Sequence, residues 1–255
     1  MFNKHPKGLI AAALANLGER FGFYTMMAIL VLFLQAKFGM NGKEAGFIYS
    51  TFYFSIYILA LVGGIIADKT RNYKGTIFTG IVLMAVGYLL LAIPSKTPVD
   101  NKMLYLVITC ASLFVIAFGN GLFKGNLQAL VGQMYDNPQY ANMRDSGFSL
   151  FYMFINIGAI FAPFAAVGVR NWWLSTFGYN YDADLPALCH GQLAGTLSPE
   201  ATETYHPLVT KASTAPVQDY TAFASDYLNV FTTGFHYAFG VAIIAMAISL
   251  TIYWL

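Results

Sequence analysis

The chain has 255 residues, 57% of them hydrophobic and only 10% charged, with a formal net charge of +2. Soluble domains carry about 25% charged residues, so this balance excludes an ordinary water-soluble domain and fits an all-α membrane protein whose outer surface faces lipid. The basic residues are too scattered for a nucleic-acid surface, and two cysteines, Cys110 and Cys189, supply no disulfide framework.

Six apolar segments are each long enough, at ~20 residues, to cross a bilayer: Leu9–Gln35, Phe47–Ala67, Thr76–Ile93, Met103–Met134, Gly147–Val169 and Thr233–Leu255. They leave no large soluble core to build. The first follows Lys4 and Lys7, and continues past the small residues Ala13-Leu14-Ala15 as a full span, so it reads as a retained helix and not as a cleaved signal. Within it, a carboxylate and a guanidinium stand side by side as Glu19-Arg20. Ionisable groups at membrane depth cost several kcal/mol unless they face a partner or a wet cavity. At 3.6 residues per turn, Asn16, Glu19, Arg20, Phe23, Tyr24 and Met27 share one broad face, which should point into the bundle. Neighbours at i and i+1 point in different directions on a helix, so Glu19 and Arg20 are each expected to need a partner elsewhere.

The second span carries Tyr57 in mid-membrane, where its hydroxyl needs a hydrogen-bond partner. It ends in Gly63-Gly64-Ile65-Ile66-Ala67-Asp68 and runs into a basic loop with Lys69, Arg71 and Lys74. The glycines allow close helix approach, and Asp68 can accept from the N-terminal amides of a neighbouring helix. Asp68 and Arg71 therefore read as a conformational latch, not as a substrate site.

The fourth span contains Lys124 within Phe123-Lys124-Gly125-Asn126. It lies ten residues from Met134, as Glu19 lies ten from Leu9. The two helices run antiparallel, so both groups stand at similar height and a Glu19–Lys124 pair is geometrically allowed. Ten residues are ~15 Å of helix, too far for comfortable snorkelling. Glu19, Arg20 and Lys124 sum to +1, and an uncompensated buried cation is expensive. The balance is expected from a carboxylate outside these spans or from an anionic group on a ligand. Asn126 and, on the fifth span, Asn156 serve equally well as helix–helix glue or as ligand contacts.

Between the fifth and sixth spans lie 63 residues, 170–232, with six acidic residues against two basic. They read either as a solvated cap with little regular structure or as a folded lid or partner-docking element. This divides the chain into 1–169 with spans one to five, an extracytoplasmic insertion 170–232, and the sixth span 233–255. Lys4, Lys7, Lys69, Arg71, Lys74 and Arg144 fall on the N-terminal side of the membrane, against Lys37, Lys43, Lys96 and Lys102 on the other, with Arg170 at its edge. This weak excess places the N-terminus in the cytoplasm. The sequence stops at the end of the sixth span, which leads to the expectation of a longer native chain. No helical His pair or Cys cluster points to metal, no phosphate-binding glycine loop appears, and no nucleophile–base set suggests an enzyme.

Four stretches resemble the proton-coupled oligopeptide transporter (POT/PTR) family of the major facilitator superfamily. Asn16-Leu17-Gly18-Glu19-Arg20-Phe21-Gly22-Phe23-Tyr24 resembles its first-helix motif, Glu-x-x-Glu-Arg-Phe-x-Tyr-Tyr. Residues Gly63 to Ile77 are similar to its loop motif after the second helix, Gly119 to Asn126 to its fourth-helix lysine segment, and Phe148 to Ile160 to its fifth-helix signature. The resemblance implies the N-terminal six-helix bundle of a major facilitator fold, with a C-terminal six-helix bundle as its partner and a substrate cavity between the two. It implies proton-coupled symport of di- and tripeptides across a cell membrane, with no cofactor. Glu19, Arg20 and Lys124 would belong to the coupling network, and Tyr24, Tyr57, Asn126 and Asn156 would line the peptide site with Phe23 and Met27. Departures are Asn16 where the family has its first Glu, Phe23 for a Tyr, Met27 for an Arg and Gly125 for a Pro. Asn16 cannot titrate, which moves coupling to Glu19 or to carboxylates outside these spans. The loss of Tyr and Arg makes the site less polar and favours apolar peptide side chains. Two alternatives stand beside this reading: a non-transporting peptide receptor or sensor, and a carrier of another anionic solute.

Overall fold

The computed structural model describes residues 4–254. Its helices are α1 (Lys7–Phe38), α2 (Gly42–Thr70), α3 (Tyr73–Ala92), α4 (Lys102–Met134), α5 (Arg144–Thr176), α6 (Leu185–Ala194), α7 (Pro199–Ala212) and α8 (Tyr220–Trp254). Among the described residues six of them, all but α6 and α7, are long and apolar enough to cross a membrane, in agreement with the six segments read from hydropathy.

Local chemistry sets the breaks between spans. Gly39 takes φ 60° and ends α1 in the left-handed conformation that glycine adopts without strain. Asn41 then caps α2, accepting from the amides of Lys43 at 2.9 Å and Glu44 at 3.0 Å, while Glu44 reaches back to the Asn41 amide. This reciprocal box satisfies amides that the first turn leaves unpaired. Lys37, which the sequence places in the first loop, lies instead in the last turn of α1 and is buried.

The bundle is organised around α1 and α4. Helix α1 packs along α5 and α8, α4 packs along α2 and α3, and α3 touches α8. Packing is tightest where α4 meets its neighbours. A Cβ built on Gly63 of α2 would stand 2.2 Å from the Gly121 carbonyl oxygen, and one on Gly80 of α3 would stand 2.7 Å from that of Gly119. Only hydrogen side chains permit this backbone contact. Helices α2 and α5 are the least enclosed, and they expose large apolar side chains such as Phe54, Leu61, Phe161 and Phe164.

The long connection, a lid by its place at the end of the bundle, is folded with two short helices and is not an irregular cap. The fifth helix runs on to Thr176, and the last begins at Tyr220 instead of Thr233. Hydropathy misses this early start because Tyr220–Thr232 is amphipathic. Asp219 caps it through the amides of Thr221 and Ala222, and Phe223, Tyr227 and Phe231 form an aromatic stripe at one-turn spacing. Loop residues Tyr179 and Tyr181 pack onto that stripe, and Tyr227 Oη donates to the Asn180 carbonyl at 3.0 Å. His190 of α6 bonds the Ala36 carbonyl at 2.8 Å and so pins the lid to the end of α1. Cys189 is buried within this lid while Cys110 is exposed on α4, and both are free thiols.

Candidate functional site

Glu19 is fully enclosed, at 0% exposure. It is not paired with Lys124. Arg20 folds back along the helix and grips it with two bonds, Nε to Oε2 at 2.5 Å and Nη2 to Oε1 at 2.7 Å. Among the described residues this is the only ion pair within 4 Å. The expectation that adjacent residues pair poorly fails for a physical reason. Arg has length enough to curl back, and in a dry interior an unpaired guanidinium costs more than the bend. A third bond comes from Asn120 of α4, whose Nδ2 donates to Glu19 Oε1 at 2.8 Å. Sequence reading passed over Asn120, although an amide flanked by Gly119 and Gly121 inside an apolar span was the available signal. Two polar atoms close to this cluster, Asn120 Oδ1 and Tyr88 Oη, are buried without a partner.

From Arg20 an aromatic path leads to α2. The guanidinium carbon stands 4.8 Å from the Phe23 ring centre and 6.0 Å from that of Tyr24. Phe23 in turn faces Phe52 of α2 at 6.4 Å. On α2, Tyr49, Tyr53 and Tyr57 form a ladder one turn apart, with the Tyr57 hydroxyl donating to that of Tyr53 at 3.1 Å. Lys124 of α4 lies over the last rung, its Nζ 5.5 Å from the Tyr57 ring centre. Such a contact supplies a desolvated ammonium with partial compensation. Glu19 and Lys124 thus stand at opposite ends of one polar–aromatic strip. Its Glu19 end is closed. Its Lys124 end is half-buried and flanked by the exposed Tyr53 and Tyr57.

The remaining expected residues divide. Tyr24 and Met27 are half-buried beside this strip, while Phe23 is buried within it. Asn156 is exposed on α5. Asn126 is buried and acts as glue, donating from Nδ2 to the Gly63 carbonyl at 3.0 Å and to Leu122 at 2.8 Å. Asn16 is buried one turn before Glu19. At the end of α2, Asp68 accepts from the Tyr73 hydroxyl. The cap of α3 belongs instead to Asn72, which accepts from the Gly75 amide at 2.9 Å. Arg71 is exposed and takes φ 52°, a left-handed conformation unusual for a side chain with a Cβ.

Comparison with known proteins covers most of the chain. Over 185 residues it is 34% identical to the peptide transporter YePEPT of Yersinia enterocolitica, an alignment covering 71% of this chain and 34% of that protein. Over 179 residues it is 34% identical to dipeptide and tripeptide permease A of an Enterobacter species, covering 69% of this chain and 32% of the permease. The chain therefore spans about a third of the length of the curated relatives it matches. A crystal structure of a peptide transporter POT in complex with sulfate superposes on the whole chain, with a TM-score of 0.65 and 26% identity, through 38% of its own length. The fold is accordingly that of a six-helix unit of this transporter class, and the protein is a multi-pass membrane protein. The sequence model described as PTR2, the POT family, matches residues 74–255, and on that match the chain belongs to the POT family.

Proposed function

We propose that this chain forms the N-terminal bundle of a secondary transporter that carries di- and tripeptides with protons by alternating access. The observation that carries the reading is the strip running from a fully buried, triply hydrogen-bonded Glu19 to the half-buried Lys124. Lys124, Tyr57, Tyr24 and Asn156 offer a cation and hydrogen-bonding groups suited to the termini and backbone of a short peptide. Phe23 and Met27 supply apolar contact. Glu19, Arg20 and Lys124 form the coupling network in this reading. Protonation of a buried carboxylate releases its ion pair and shifts the balance between inward- and outward-open states. The least enclosed helices, α2 and α5, would pack against a second six-helix bundle. The N-terminus would lie in the cytoplasm of a cell membrane, with residues 170–232 outside. Asp68 and Arg71 would act as a latch at the cytoplasmic end.

The test is uptake of a labelled dipeptide into proteoliposomes holding the full transporter, driven by an imposed pH gradient. Glu19→Gln and Lys124→Ala each abolish gradient-driven uptake if the assignment is right. Normal uptake in both variants rejects it.

A further inference from the structure

A cavity lies at the lid end of the bundle, away from the Glu19–Lys124 strip, and is walled by α1, α3, α4 and α8. It has a volume of about 310 Å³, and Lys37 and His236 both line it. This is roomy beside the ~30 Å³ that one water occupies in the liquid, so a polyatomic group fits. Its outer wall includes Leu90, Ile93 and Ile108, all exposed apolar side chains of α3, the residue that follows it, and α4. The cavity therefore opens sideways toward acyl chains, close to the membrane boundary.

Ser95, Tyr105, Thr109 and Ser112 also line the cavity, but Lys37 and His236 are the two polar groups left incompletely satisfied, in different senses. Lys37 is 2% exposed. Its ammonium donates to the Ser95 carbonyl, to Thr97 Oγ1 at 2.8 Å and weakly to the Lys96 carbonyl at 3.3 Å. These dipoles use its hydrogens but leave its charge unbalanced, because among the described residues no carboxylate stands within 4 Å of it. His236 is 4% exposed, and its Nδ1 is bonded to the Leu91 carbonyl at 2.6 Å. A carbonyl only accepts, so Nδ1 carries the hydrogen, and Nε2 of the neutral ring is a bare acceptor. That Nε2 is buried with no partner. A buried polar atom left so has lost its water and gained nothing in return.

A single ligand answers both needs if it carries one negative charge and, a few bonds away, a hydroxyl donor, with an apolar tail to follow the open wall. We propose that this cavity binds the headgroup of an anionic membrane phospholipid bearing a headgroup hydroxyl, of the phosphatidylglycerol type. The phosphate oxygens face Lys37 and replace its weak contact to Lys96. A glycerol hydroxyl donates to His236 Nε2. The acyl chains lie along α3 and α4.

The test compares lipids that differ by one group, bound to delipidated full-chain protein in detergent and read by native mass spectrometry and by thermal shift. Phosphatidylglycerol binds at least about tenfold more tightly than phosphatidylmethanol, which has the same charge and no hydroxyl, a difference of ~1.4 kcal/mol. Phosphatidylcholine, which has neither net charge nor a donor, binds weakest. His236→Phe removes the preference for phosphatidylglycerol over phosphatidylmethanol and leaves both ahead of phosphatidylcholine. Lys37→Met removes the preference for charge. Should a variant fail to fold, the three-lipid ranking on the unaltered protein decides alone. Equal binding of phosphatidylglycerol and phosphatidylcholine overturns the proposal, as does an unchanged glycerol preference in His236→Phe. Full displacement by an equimolar fatty acid overturns the headgroup assignment.

Discussion

Gly63 and Gly64 are chemically identical neighbours in very different surroundings, and replacing each by alanine separates packing from composition. At Gly63 the new Cβ would meet the Gly121 carbonyl oxygen at 2.2 Å, its carbonyl carbon at 2.6 Å and the Leu122 amide nitrogen at 2.9 Å. These are backbone atoms with no rotamer to change, so α2 and α4 must move apart by about 1 Å to restore van der Waals contact. Overpacking of this kind costs ~1–3 kcal/mol. The displacement also stretches the 3.0 Å bond from Asn126 to the Gly63 carbonyl, worth a further ~0.5–1.5 kcal/mol. The expected loss for Gly63→Ala is therefore ~1.5–4.5 kcal/mol. It also draws Lys124 away from Tyr57, now at 5.5 Å and near the ~6 Å reach of a cation–π contact. At Gly64 nothing lies within 4 Å of the new methyl group. Gly64→Ala gains up to ~1 kcal/mol of helix propensity. Reversible unfolding by detergent titration measures both. Equal effects of the two substitutions, or a neutral Gly63→Ala, would refute the backbone contact between α2 and α4.

Other predictions follow from single contacts. Asn120→Ala removes a charged hydrogen bond to Glu19 together with the unpartnered Oδ1. The two effects oppose, so stability changes by less than the ~1.5–3 kcal/mol of the bond, while gradient-driven uptake by the full transporter drops at least about tenfold if Glu19 must be held in place. Arg71→Gly relieves a left-handed backbone at φ 52°, raising stability by up to ~1 kcal/mol. A latch role for Arg71 would show as slower transport despite that gain. Burial, followed by the charge of Lys102, lowers the His190 pKa against the raising effect of the Ala36 carbonyl. The unfolded ring therefore takes up a proton first. The stability gained by burying the neutral ring is therefore full above the ordinary histidine value of about 6.5 and is lost as pH falls below it towards the lowered value of the folded ring. Hydrogen exchange at α6 as a function of pH measures this, and His190→Gln flattens the profile.

Lipid-spanning character was fully determined by local sequence. Six long apolar runs cannot be hidden in a protein with so few charges, and backbone hydrogen bonding inside a bilayer leaves helices as the one way to arrange them. The closely spaced Gly63, and Glu19 and Arg20 at membrane depth, were likewise legible because composition alone makes them costly. What remained closed to sequence was who meets whom. Helical direction argued that Glu19 and Arg20 diverge, and only a packed interior that strands an unpaired guanidinium turns Arg20 back upon its neighbour. Asn120 enters the Glu19 cluster because α4 crosses α1 at that height, a fact of packing with no trace in hydropathy. The lid shows the same division. Residues 170–232 are polar enough to pass for loop, and they fold because Phe223, Tyr227 and Phe231 extend α8 into a surface on which Tyr179 and Tyr181 can dry themselves. Hydropathy counts the solvent preference of each residue in turn, whereas pairing and docking energies belong to residues brought together from distant parts of the chain.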